Sequence, residues 1–173
     1  MALAGDSGNV AAADQQAARS KLEDELRGLD ERLRVMLDAY EENPSAIDSG
    51  LLSVTDRAVD VEAAIIDAYR IMKTRVYAED SPLRADHDVW AAFEEQKDEF
   101  IGFYKSALTA LEIYREVLRT YSLVKTAAEP QPQRGDLKRI QQDKQVQVAE
   151  RAGCIEAVCD LHGKFSAMLT VLR

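Results

Sequence analysis

Large apolar residues recur along this chain at alternating intervals of three and four, the spacing of a helix with one greasy stripe. The first such run is Leu22, Leu26, Leu29, Leu33, Met36 and Tyr40, a heptad seam that predicts a helix over 14–42. Asn43-Pro44-Ser45 ends it, because the residue before proline is pushed out of the helical region. A second helix is expected over 49–79, capped by Asp48 or Ser49. Its seam is Val54, Ala58, Val61, Ile65, Ala68 and Met72, and a second row, Val59, Ile66, Tyr69 and Val76, widens the stripe. Asp80-Ser81-Pro82 closes it, with Pro82 suited to open the next helix.

The third helix, over 83–126, carries Trp90, Phe93, Lys97, Phe100, Tyr104, Ala107, Leu111, Tyr114, Leu118 and Tyr121 on one row. At 1.5 Å per residue it would be roughly 60 Å long, against about 40 Å for a compact globule of this size. An elongated molecule is expected. Lys97 sits among aromatics, where it either fixes register or lays its stem over Phe93 and Phe100. After the break AAEPQPQRG, a fourth helix over 136–172 is capped by Asp136. Its first half is polar, with Gln141, Gln142, Asp143, Lys144, Gln145 and Gln147. Its second half holds two apolar rows, one of Ile155, Val158, Phe165, Leu169 and Leu172, the other of Cys154, Leu161, Met168 and Val171. A helix greasy on two faces needs two neighbours. The expected fold is therefore all-α, a single elongated antiparallel bundle or coiled coil of about four helices over 14–173. The Ala- and Gly-rich residues 1–13 read as a disordered tail.

Charge narrows the partners. The net charge is −9, which repels nucleic acid and acidic bilayers. Residues 127–173 hold 7 Lys+Arg against 6 Asp+Glu, so the acidity belongs to the earlier helices. No apolar run reaches the length of about 18 residues that a membrane span needs, and the N-terminus lacks the pattern of a secretory signal. Cys154 and Cys159, roughly 140° apart on a helix, read as reduced apolar fillers in a cytoplasmic protein.

Catalytic chemistry is sparse. A di-iron bundle needs Glu-x-x-His pairs, but Arg84 precedes His87 and Cys159 precedes His162 at that spacing. Cys154, Cys159 and His162 do not make a zinc set on one face. Asp86-His87-Asp88 reads as a helix start, where acids complement the macrodipole. Glu94, Glu95, Asp98 and Glu99 read as a solvated face, with a docking patch for a basic partner as the other reading. Nucleophile, phosphate-loop and dinucleotide motifs are absent. No cofactor, metal or small-molecule substrate is expected.

Arg27 and Arg34 within LEDELRGLDERLRVML resemble, over about sixteen residues, the first helix of the all-helical chorismate mutases. The order of elements offers a longer likeness. A leading coil is followed by a helix carrying SGLLSVTDRAVDVEAAIIDAYRIM and a long helix carrying FEEQKDEFIGFYKSALTALEIYREVL. A proline-containing break then leads to LKRIQQDKQVQVAERAGCIEAVCDLHGKFSAMLTVL. This arrangement resembles the small helical shoulder subunit of dynactin, the cofactor complex of the dynein motor. The resemblance implies no catalysis and a structural place among larger helical subunits, linked to microtubule transport.

The primary expectation is thus a non-enzymatic scaffold or adaptor that assembles with other helical proteins. The residues expected to pack against partners are Leu22, Leu26, Leu29, Leu33, Trp90, Phe93, Phe100, Tyr104, Leu111, Tyr114, Leu118, Phe165, Leu169 and Leu172. Some of them must also serve the chain's own core. The alternatives are a small helical enzyme of chorismate-mutase type and a client-binding helical chaperone.

Overall fold

The structure is a computed structural model and describes residues 6–52, 61–127 and 134–173, all of them in helices or the turns between. Helix α1 spans Asp6–Glu42, so the helix begins before Asp14. The alanines of the expected tail are the strongest helix formers. They extend the helix although positions 9–18 are exposed. The stop at Asn43-Pro44 is present, and Asn43 Oδ1 accepts the N–H of Ser45 at 3.2 Å. That turn restarts the chain at once as α2, Ser45–Leu52. Asp48 is therefore inside α2 and not a cap.

The predicted second helix is thus divided. Val54, Ala58 and Val59 lie outside the described residues. Helix α3, Val61–Ile71, continues as a π turn over Met72–Val76. Val61, Ile65, Ala68, Met72 and Val76 are buried, Tyr69 is half-buried and Ile66 is exposed. Pro82 opens a 3₁₀ turn, Pro82–Ala85, whose leading Ser81 accepts the N–H of Leu83. Only then does α4 begin, His87–Glu95, with Asp86 Oδ1 accepting the N–H of Val89 at 3.2 Å. The acid at this helix start is a cap, as its position suggests.

The long third helix is likewise two helices. It breaks at Gln96 and resumes as α5, Lys97–Ala127. Lys97 is exposed between buried Phe93 and Phe100. Its ammonium stands 5.4 Å from the ring centre of Tyr77, not over Phe93 and Phe100. Helix α6 spans Arg134–Thr170, which puts Asp136 within its first turn.

Helix α6 packs against both α5 and α1, and α3 packs against α1 and α5. Neighbours run in opposite directions. Glu99 and Tyr114 of α5 meet Lys164 and Arg151 of α6. Asp30 and Glu41 of α1 meet Ser166 and Cys159. Glu62 and Tyr69 of α3 meet Arg115 and Tyr104. The two apolar rows of α6 account for its two neighbours. Cys154, Val158, Leu161, Phe165, Met168, Leu169 and Leu172 are all buried. Burying each large side chain contributes about 1.5–3 kcal/mol, so this shared core is what holds the helices together.

Candidate functional site

Polar and aromatic clusters lie between the helices, and four of them bear on function. The best enclosed joins α2, α5 and α6. Arg151 Nε donates to Tyr114 Oη at 2.8 Å and to Asp48 Oδ1 at 3.2 Å. Its Nη2 and the Tyr114 hydroxyl both donate to the Asp48 carboxylate. Asp48 and Arg151 side chains are 19% and 20% exposed. Burial, then the Asp48 bond, raises the Tyr114 phenol above its usual range. The Asp48 bond likewise raises Arg151. These bonds tie α2, α5 and α6 together at one point.

Asp30, His162 and Ser166 bring together the residue types of a hydrolase triad, but not its geometry. Ser166 Oγ donates to Asp30 Oδ1, and His162 Nε2 lies 3.2 Å from that same oxygen. A triad needs the carboxylate on one imidazole nitrogen and the hydroxyl on the other. Here both meet at Nε2, with Ser166 Oγ 3.4 Å away. The cluster ties α1 to α6.

The third cluster is aromatic and cationic. Arg84 lies 4.1 Å over Trp90, whose ring meets Tyr77 edge-on at 6.2 Å. Tyr77 Oη donates to the carbonyl of Phe93 at 3.0 Å, and burial raises its phenol. These contacts seal the corner between the π turn and α4. The fourth is the pair of Arg115 with Glu62, between α5 and α3.

The remaining candidates separate in the same way. Among the described residues no group of three or more His, Cys, Asp or Glu side chains is arranged to hold a metal. Cys154 is buried, and burial pushes its thiol up to about 12, with the charge of Asp48 adding to the effect. Cys159 is half-buried rather than buried, and its thiol is raised by burial and by Glu41. Arg27 pairs with Glu23, and Arg34 with Glu31 and Asp38, on the open surface of α1. They do not converge on a pocket. Glu94, Glu95, Asp98 and Glu99 are exposed, Glu99 bonding Lys164. Among the described residues no helix is long and apolar enough to cross a membrane.

The predicted packing residues are seated inside the chain. Leu22, Leu26, Leu29, Leu33, Phe93, Phe100, Leu111, Tyr114, Leu118, Phe165, Leu169 and Leu172 are all buried, while Trp90 and Tyr104 are half-buried. In the chain by itself the surface of these twelve residues is covered by neighbouring helices. What is left for a partner is a different set. A groove of about 340 Å³ runs along the outer side of α5 and α6, lined by Ile113, Val117, Thr120, Tyr121 and Val146, with Glu116 and Asp143 beside them. Ile113 is 47% exposed and Val146 49%. Sequence reading passed over Ile113 and Val146 because both fall off the main heptad row. An apolar residue on a helix's outer face was the signal available. Comparison with protein-family models, with curated proteins and with solved structures found no match to this chain.

Proposed function

We propose that this chain is a non-catalytic packing subunit, a helical bundle that docks an amphipathic partner helix in the outer groove between α5 and α6. The observation that carries the proposal is the groove itself, an apolar trough between two helices with Ile113 and Val146 open to solvent. A third helix laid along such a trough buries an apolar ridge against both walls. The two charged residues in the lining, Glu116 and Asp143, are both acidic, so the partner's ridge is flanked by Lys or Arg. The polar side chains of Asp48, Tyr114 and Arg151, bonded to one another across three helices, support an architectural role over a chemical one.

A finer form of this reading is a cytoplasmic shoulder subunit of dynactin, supported by the order of the apolar segments along the sequence. The test uses the purified chain and the double variant Ile113→Glu/Val146→Glu, whose sites are exposed enough to leave the helical circular dichroism unchanged. The wild-type chain should bind purified dynactin lacking its own small shoulder subunit, and the variant should bind at least about tenfold more weakly. Equal binding by both removes the groove from the proposal. Failure of the wild-type chain to bind removes the dynactin form.

A further inference from the structure

A second apolar surface lies at the corner where α1 gives way to α2. The groove there, about 510 Å³, is lined by Val35, Ala39, Tyr40, Ala46 and Gly50 among others, every one of them uncharged. Its rim is not neutral. Glu31, Asp38 and Glu42 are exposed and stand one helical turn from Val35 or Ala39. Arg34 lies between them, 2.7 Å from Glu31 and 3.5 Å from Asp38. Arg32, one turn from Val35, lies 3.5 Å from Asp67 of α3, so three acids face two arginines, one of them already paired with α3.

The opposite character appears on the first half of α6. Leu137 is 52% exposed and Val148 60%, and three helical turns apart they share one face. Lys144 lies on that face and Lys138 at its edge, both exposed, while Asp143 is half-buried and turned away from it. This is a basic, apolar strip on a chain of net charge −9. It cannot reach the corner of its own molecule. Asp48 of α2 meets α6 at Arg151, and Lys138 lies about 20 Å farther along the helix.

We infer that two copies pair about a two-fold axis, each placing its basic strip of α6 in the acidic-rimmed corner of the other. A two-fold pair makes both contacts twice and leaves neither surface open, the commonest closed arrangement for identical chains. Net charge opposes approach of two such molecules everywhere else. The pairing uses neither Ile113 nor Val117, and stands whether or not a partner helix docks between α5 and α6.

Sedimentation velocity on the full chain tests it, over about 1–200 µM protein at about 0.1 M salt, where local charge contacts are only partly screened. The wild-type chain should pass from monomer to dimer within that range. Asp38→Lys/Glu42→Lys and Lys138→Glu/Lys144→Glu should each raise the dissociation constant at least about tenfold, roughly 1.4 kcal/mol. All four side chains are exposed, so helical circular dichroism should not change. Mixing the two variants in equal amounts restores opposite charge at both contacts, and the dimer should return. A chain that stays monomeric throughout overturns the inference. So does a dimer that neither variant weakens, or one that mixing fails to restore.

Discussion

The two ends of the α5–α6 pair are made of similar helix and reach different states. From Phe100 to Leu118 and from Cys154 to Met168 the seam is closed, with Ala107, Leu111, Tyr114, Val158, Leu161 and Phe165 all buried. Beyond the level of Tyr114 and Arg151, the corresponding positions Tyr121, Ile140 and Gln147 are only half-buried. The difference lies in the neighbours. Helices α1 and α3 flank the first part, and the Asp48–Tyr114–Arg151 cluster stands where that flanking ends. A heptad stripe by itself covers one side of a helix, and full burial needs a second wall.

Substitutions on either side of that boundary sharpen the contrast. Phe165→Ala, removing a buried ring that stands 6.4 Å from Phe100, should cost about 3–5 kcal/mol in urea unfolding. A loss under about 1 kcal/mol would mean that the core is not closed there. Asp48→Ala should cost about 2–4 kcal/mol, because it strands a partly buried guanidinium. The triple change Asp48→Ala/Tyr114→Phe/Arg151→Met should cost less than the single one, since no polar atom is then left without its partner. If the triple change costs more, the cluster stabilises through its bonds and not merely by mutual satisfaction.

The two cysteines probe the same boundary from inside the closed part. Below pH 9, Cys154 should react with a thiol reagent at least about tenfold more slowly than Cys159, since its thiolate forms only when the core opens. Its folded thiol holds a proton that the unfolded chain loses near pH 9. Stability should therefore fall as pH rises from about 9 towards 12, and Cys154→Ala should flatten that slope. Smallest of all, Val148→Ala on the open part should change stability by less than about 0.5 kcal/mol. A cost above about 2 kcal/mol in dilute protein would show that Val148 is covered after all.

Much of the helical content was legible because the stripe and the helix share a period. Leu22, Leu26, Leu29 and Leu33 fall on the seam and are buried where the seam says. Asn43-Pro44 is a stop that sequence can see. The break at Gln96 is not, since nothing in Glu94-Glu95-Gln96-Lys97 forbids a helix, while the Phe93 carbonyl that the Lys97 N–H would meet in a continuous helix accepts the distant Tyr77 hydroxyl. Periodicity also cannot say whether a seam meets its own chain or another. That depends on long-range contacts such as Tyr69 on Tyr104, whose rings stack at 3.9 Å. The candidate docking surfaces were the least legible, since Ile113, Val146 and Val35 fall off the heptad rows.

The π turn at the end of α3 has a consequence for the joint between α3 and α4. Tyr77 N–H reaches back to Met72 O at 2.9 Å, so the loop holds one residue more than an α-helical turn. Deleting Thr74, whose hydroxyl only bonds back to the carbonyl of Arg70, would tighten the turn and rotate the downstream chain by about 100°. Tyr77 would then swing away from Trp90 and Lys97 together. The joint is thus tuned by residue number, with that extra residue acting as a shim whose thickness matters more than its chemistry.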